Sequence, residues 1–270
     1  MDALLETFSK YFEVVRVVTD DQLREALRIR YQVYCLETGY EDVKLHANGL
    51  EQDEFDVRAV HSLLIHRPSG LVAGTVRLVL PNYSIVEDPF PIEKHCGAAI
   101  KQPIKGANRA ELAEISRFCI SREFKRRMAE AKTLWANTSD DSLRMEGFDQ
   151  RRLIPHITVG LFSAIVSMSA EHRVRYWYAV MEPSLLRLLQ RFGIHFETIG
   201  PILDYHGERQ PCFALADQVL GNMRHECYPV WELITDRGVR WPATPNEKQN
   251  RQGEGEKLSG NGVKIAKTQG

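Results

Sequence analysis

No C-x-x-C pair occurs in the chain, and its five cysteines, at positions 35, 96, 119, 212 and 227, are odd in number. A disulfide framework and a structural zinc site are therefore not expected, and a reducing cytoplasm is the expected compartment. Nine histidines show no H-x-x-x-H or H-E-x-x-H spacing, so no metal site is expected. Neither sign of charge is in excess: the formal net charge is -1, which argues against a nucleic-acid binder. The N-terminus has no basic segment leading into an apolar run, so no secretory signal is expected. The uncharged stretch Leu153–Ala170 holds Pro155, His156, Thr158, Gly160 and three serines. It reads as a buried core helix rather than a membrane span, and no transmembrane segment is expected. From Ala243 onward there are no aromatic residues, and Gln, Asn, Gly, Lys and Glu dominate. Residues 243–270 read as a disordered tail, and residues 1–242 as one domain large enough to bury a proper core.

The remaining signals alternate between strand and helix. Asp2–Phe12 reads as a short amphipathic helix and Phe12–Val18 as a strand. Thr19-Asp20-Asp21 caps a helix running to about Cys35. A polar loop follows from Glu37 to Arg58, then two strands, His61–His66 and Leu71–Leu80, joined by the turn Arg67-Pro68-Ser69-Gly70. Residues 81–108 are Pro-rich and irregular, long enough for a functional loop. Ala113–Ile120 is a further strand, and 121–152 a charged, partly helical insertion. After the Leu153–Ala170 helix come a strand at Arg175–Met181 and a helix at Pro183–Phe192 closed by Gly193. Strands near 195–199 and 212–216 and a helix near 217–227 complete an α+β layer around one central mixed sheet.

Six charged residues stand inside otherwise apolar or structured segments: Arg30, Asp53, Asp56, Arg77, Glu114 and Arg117. A buried charge is tolerated only when paired, so these groups are expected to meet. They read as a cleft for a polar, amine-bearing substrate; Arg30, Asp53, Asp56 and Arg117 read alternatively as a structural ion-pair network pinning the N-terminal helix and loop. On a regular strand Glu114 and Ser116 share one face, and Ile115 and Arg117 the other. Glu114 and Arg117 can point into one cleft only if the strand bulges between them.

The order of these segments resembles the acyl-homoserine-lactone synthases and the related N-acyl amino acid synthases. The resemblance is carried by Arg30 and Tyr34 followed by Gly39-Tyr40, by Glu51, Asp53 and Asp56 in an E-x-D-x-x-D run, by Arg77 on a strand, and by Glu114, Ser116, Arg117 and Phe118 in an E-x-S-R-F signature. It is tightest over Leu27–Ile120. Within the group, the block from Tyr178 to Pro183 and on through Arg191-Phe192-Gly193 resembles the acyltransferases associated with the exosortase (PEP-CTERM) protein-sorting system. The resemblance implies the GNAT acyltransferase fold, whose central strands splay apart to admit a pantetheine arm.

Amide formation from a thioester requires a neutral amine, a polarised carbonyl and exclusion of water. Glu114 and Arg77 are the expected catalytic residues, Glu114 as proton acceptor. Arg30, Tyr34, Tyr40, Asp53, Asp56 and Arg117 are the expected substrate contacts, an Arg suiting a carboxylate and an acid suiting an ammonium. No cofactor is expected to be tightly bound. The stretch Ser121–Arg127 contains no glycine to cradle a coenzyme A pyrophosphate, so the expected donor is the acyl-phosphopantetheine of an acyl carrier protein. The expected docking residues are Lys125, Arg126, Arg127, Arg151 and Arg152, which would face the carrier's acidic surface; a solvated helix face is the alternative. The function implied is transfer of a fatty acyl chain to the amino group of an amino acid. The alternatives are acyl-homoserine-lactone synthesis from S-adenosylmethionine and a non-catalytic carrier-protein or lipid-binding module. Contact with a membrane surface would come only through an acylated product.

Overall fold

The computed structural model describes residues 3–100, 106–128 and 150–241. The segment 129–149, most of the charged insertion, and the tail 243–270 lie outside the described residues. The helices are α1 (Ala3–Tyr11), α2 (Asp20–Arg30), α3 (Pro91–Cys96), α4 (122–128), α5 (Gln150–Glu171), α6 (Pro183–Gln190), α7 (Ala216–Glu226) and α8 (Tyr228–Thr235). The strands are β1 (Phe12–Arg16), β2 (Ala59–His66), β3 (Leu71–Val79), β4 (Leu112–Ile120), β5 (Tyr176–Met181), β6 (Glu197–Thr198), β7 (Leu203–Asp204) and β8 (Glu208–Leu215). They form a sheet in the order β1-β2-β3-β4-β5-β8-β6, with β7 paired to β8. All pairings are antiparallel except β4 with β5. This is the α+β mixed sheet expected from the element order, with the GNAT-like arrangement that the resemblance implied.

Local chemistry sets the element ends. Thr19 accepts from the Gln22 backbone N–H, and the Gln22 side chain accepts from the Thr19 backbone, a reciprocal cap that starts α2. The helix does not run on to Cys35 in α form: residues 31–37 widen into a π-helical turn, a geometry that recurs at functional sites. Two helices were not expected from sequence. α3 sits inside the Pro-rich stretch, begun by Pro91 at its first turn, and α8 follows α7 after Cys227. The strand expected near 212–216 starts earlier, at Glu208, and that near 195–199 contracts to two residues.

α5 crosses β1 to β4 on one face, where it packs with α1 and α8 around Leu64, Val76, Ile115 and Trp177. The approach is close: a Cβ on Gly160 would lie 2.8 Å from both Leu64 and the Phe8 ring. The stretch Ile154–Glu171 is apolar enough to cross a membrane, and 67% of it is buried inside the fold. A smaller cluster of Phe55, Val79, Phe90, Ile92, Leu112 and Tyr178 occupies the opposite face. Arg77 and Glu114 stand two residues from Val79 and Leu112, members of this second cluster, and so share its face, away from α5.

The site is opened by β4 and β5. They pair in parallel from Leu112–Tyr176 to Ile115–Ala179, and no further. β4 continues to Ile120 and β5 to Met181, so the two strands part. On its other edge, β4 slips by one residue against β3 between Ser116 and Cys119, and Arg117 adopts φ +49°. The bulge required to bring Glu114 and Arg117 to one cleft is present.

Candidate active site

The parted strands open onto a cavity of about 540 Å³. Its lining joins polar and charged side chains, among them Tyr34, Tyr40, Glu41, Arg77, Glu114, Arg117, Tyr205, His206 and Arg209, to apolar ones from α5, α6 and beyond, among them Phe162, Ile165, Leu185, Leu188, Leu189 and Phe196. Tyr34 comes from the π-helical turn and Tyr40 from the loop beyond Gly39. Arg77 comes from β3, Glu114 and Arg117 from either side of the β4 bulge, and Tyr205 and His206 from the β7–β8 turn.

The structure divides the sequence-derived residues into two groups. Arg77, Glu114, Arg117, Tyr34 and Tyr40 line the cavity, whereas Arg30, Asp53 and Asp56 do not. Arg30 is fully buried; its Nε donates to Glu51 Oε2 at 2.5 Å and its Nη atoms donate to both Asp56 oxygens at 2.7 and 3.0 Å. Arg77 Nη1 donates to Asp53 at 2.5 Å and Asp56 at 3.0 Å, while its Nε donates to Ser116 Oγ at 2.9 Å. Arg117 Nη2 donates to Glu41 at 3.1 Å, Glu51 at 2.9 Å and Asp53 at 3.1 Å, and its guanidinium lies 5.1 Å over the Tyr34 ring. Asp53 and Asp56 also cap the short 3₁₀ turn 54–58, each accepting a backbone N–H from it or its cap. The network reading and the cleft reading thus apply to different members of one cluster.

Burial alone would raise the Asp56 and Glu51 carboxyls. The hydrogen bonds and charges of Arg30 with Arg77 hold Asp56 well below the usual carboxylate range, and Arg30 with Arg117 holds Glu51 at about 2. Burial would lower the Arg30 and Arg117 values too, and the surrounding carboxylates raise them instead. Glu114 differs. Burial pushes its carboxyl up to about 8 against the opposing effects of the Ile92 N–H, which donates at 2.8 Å, and of Arg77. That N–H is held in place by Glu93, which accepts from the Phe90 backbone and pairs with Arg109 through two 2.7 Å bonds. Near neutral pH such a carboxyl exchanges a proton readily, as a general acid–base group must.

Sequence reasoning missed Glu41, Arg209 and the full weight of Glu51. Glu51 was visible only as the first letter of the E-x-D-x-x-D run; in the structure it bridges Arg30 and Arg117 from a position 1% exposed. Cys119 is buried, and burial pushes its thiol up to about 12. No group of acids, histidines and cysteines that could hold a metal occurs among the described residues. Of the expected docking residues, Lys125 lies at the cavity rim, Arg126 and Arg127 are exposed on α4, and Arg127 pairs with Glu123. The side chains of Arg151 and Arg152 lie outside the described residues.

A mixed sheet whose one parallel strand pair parts over a cavity lined by both charged and apolar side chains defines a GNAT-like fold. The comparisons with known proteins agree and support an acyltransferase. A family profile described as acetyltransferase (GNAT) domain matches residues 29–136. An acyl-homoserine-lactone synthase from Vibrio anguillarum is 24% identical over 197 residues, which cover 72% of this chain and 84% of that protein. Among solved structures, the acyl-homoserine-lactone synthase LasI superposes with a TM-score of 0.52 at 17% identity, over 76% of this chain and 88% of its own. FeeM, an N-acyl amino acid synthase from uncultured soil microbes, superposes with a TM-score of 0.50 at 15% identity, over 80% of this chain and 97% of its own. These structures share the fold.

Proposed function

We propose that this protein is a cytoplasmic N-acyltransferase that moves a fatty acyl chain from the thioester of an acyl carrier protein to the amino group of an amino acid. The observation that carries this reading is the mixed lining of the cavity: carboxylates and guanidinium groups meet aliphatic and aromatic side chains where β4 and β5 part. The acyl chain runs among Phe162, Ile165, Leu188 and Phe196, and the amine lies by Glu114 and Glu41. Glu114, ionised, takes a proton from the ammonium, directly or through a water. The freed amine attacks the thioester carbonyl and the C–N bond forms; as the C–S bond breaks, the surplus proton of the attacking nitrogen passes to the departing thiolate, and Glu114 releases its own to solvent. Arg77 holds Ser116 and the acidic loop in place and lowers the Glu114 carboxyl, favouring its ionised form. The pantetheine arm enters where β4 leaves β5, and Lys125, Arg126 and Arg127, with Arg151 and Arg152 beyond, face the carrier's acidic surface. No tightly bound cofactor takes part. Kinship with the exosortase-associated acyltransferases, resting on the residues from 178 to 193, belongs to this proposal.

A second reading has its own support. The likeness to the Vibrio anguillarum synthase favours S-adenosylmethionine as the acceptor, with a lactone as the product. A product screen by mass spectrometry separates the two. Purified protein receives long-chain acyl-acyl carrier protein with pooled amino acids in one reaction and with S-adenosylmethionine in another. An N-acyl amino acid supports the main reading and an acyl-homoserine lactone the second. No product and no free carrier thiol in either would leave a binding module.

A further inference from the structure

An amino acid presents an ammonium and a carboxylate on one carbon, and the wall of the cavity formed by α2, the 51–56 loop and β4 suits only the first. Its three guanidinium groups, Arg30, Arg77 and Arg117, already pair with Glu41, Glu51, Asp53 and Asp56, although Arg77 Nη2 is itself a buried donor without a hydrogen bond. Three cations face four anions there, so that wall carries one negative charge in excess and repels a carboxylate.

Arg209, on β8 across the cavity, is engaged differently. Its side chain is 13% exposed, yet only Nη1 is occupied, by the Glu208 carbonyl at 3.1 Å and by Glu182 Oε1 at 3.3 Å, the latter on a half-exposed side chain. Nε and Nη2 make no hydrogen bond among the described residues and stay open to solvent. A largely buried guanidinium with donors unused is matched to a planar, two-oxygen acceptor. The group lies 5.2 Å over the Tyr40 ring. Tyr40 meets His206 at 5.6 Å, and His206 Nε2 stands 3.9 Å from Glu41, the partner of Arg117. This continuous row joins Arg209 to the acidic wall. The turn behind it is strained: His206 holds φ +56°, in the left-handed region that suits glycine, beside Gly207 at +85°. A Cβ on Gly207 would stand 3.2 Å from Tyr40 Oη and 3.6 Å from Arg209 Nη1. Backbone strain of this kind persists where packing over-determines it, often around a binding site.

We propose that Arg209, backed by Tyr40 and the His206-Gly207 turn, seats the α-carboxylate of the acceptor and makes the site selective for free amino acids over their carboxamides. This rests on the amino acid acceptor proposed above. The test uses the full chain with acyl-acyl carrier protein and two acceptor pools, the proteinogenic amino acids and their α-carboxamides, with N-acyl products measured by mass spectrometry. The wild type is expected to favour the acids by about 30-fold, the scale of one charge-assisted, two-point contact. Arg209→Met is expected to bring that ratio close to one, and Arg209→Lys to leave it in between. A merely structural role would lower both products together and keep the ratio, which would overturn the assignment. Equal use of both pools by the wild type would overturn it too, while leaving the acyltransfer reading intact. Failure of the wild type to acylate either pool would remove the acceptor reading and this inference together.

Discussion

The two walls of the cavity are built on opposite terms. On the N-terminal wall every charge is answered by another charge: Arg30, Glu51 and Asp56 are buried and mutually bonded, and none of the three lines the cavity. On the C-terminal wall α5 and α6 present mainly aliphatic and aromatic side chains, and Arg209, on β8, is engaged through one nitrogen. The first wall is a fixed frame, because removing any one ion strands its partners in a low-dielectric interior. The second can accommodate a guest, since methylene groups exchange contacts without leaving an orphaned charge. A site that joins two dissimilar substrates benefits from this division, in which one is gripped by geometry and the other by area.

The largest effect that would break this contrast is expected at Arg30. Arg30→Ala should cost about 3–5 kcal/mol in chemical denaturation by leaving Glu51 and Asp56 unpaired, whereas Arg209→Met should cost less than about 1 kcal/mol. Equal losses would show that the two walls are not different in kind. Next comes Glu114→Gln, expected to lower turnover about 100-fold. In the wild type, kcat/KM should rise with pH through about 8, as the buried carboxyl loses its proton, and the variant should lack that rise. The same group bears on stability. Its folded value lies above the ordinary 4.5, so its contribution is fully present below about 4.5 and is lost as pH climbs through 8. Glu51 and Asp56 have the opposite sign, contributing above their ordinary carboxylate range and failing as pH falls toward 2. Thermal melts at pH 5 and pH 9 should show Glu114→Gln gaining a few degrees on the wild type at the higher pH only. The smallest effect is expected at Leu188→Trp on the apolar wall: little change in melting, but a preferred acyl chain shorter by about two carbons in a competition of chain lengths.

Much of the frame was legible because its signals are local. The β2–β3 hairpin announced itself through Arg67-Pro68-Ser69-Gly70, and Gly70 does take φ +65° there. The cap at Thr19, the core helix α5 and the strand β4 were each within a few residues of their observed bounds. α3 was hidden by the prolines around it and α8 by its closeness to α7, since neither is long enough to show a helical period. At the site, the charged residues standing in apolar strands were conspicuous because water cannot reach them there. Glu41, in a polar loop, and Arg209, beside a Glu in an amphipathic strand, look like any solvated residue in the sequence. Only the long-range pairing of β8 with β5, and the folding of the 39–51 loop over β4, give them partners. The division of the six conspicuous charges into frame and lining was equally invisible, because it depends on depth rather than on order along the chain.

The bulge at Arg117 acts on β4 as a frameshift. Up to Ser116 the even-numbered residues Leu112, Glu114 and Ser116 share the face that carries Arg77 and Val79. Beyond it the parity inverts, with Cys119 opposite Thr75 on that side and Ile120 opposite Gly74 on the other. Arg117 sits at the seam, belonging to neither phase, and its left-handed backbone is what lets one strand show two charged residues three positions apart to the same guest. Deleting Arg117 would restore an unbroken strand in which Cys119 still meets Thr75 and Ile120 still meets Gly74, but the second charge would be gone, so the site depends on one supernumerary amino acid as much as on any charge it contains.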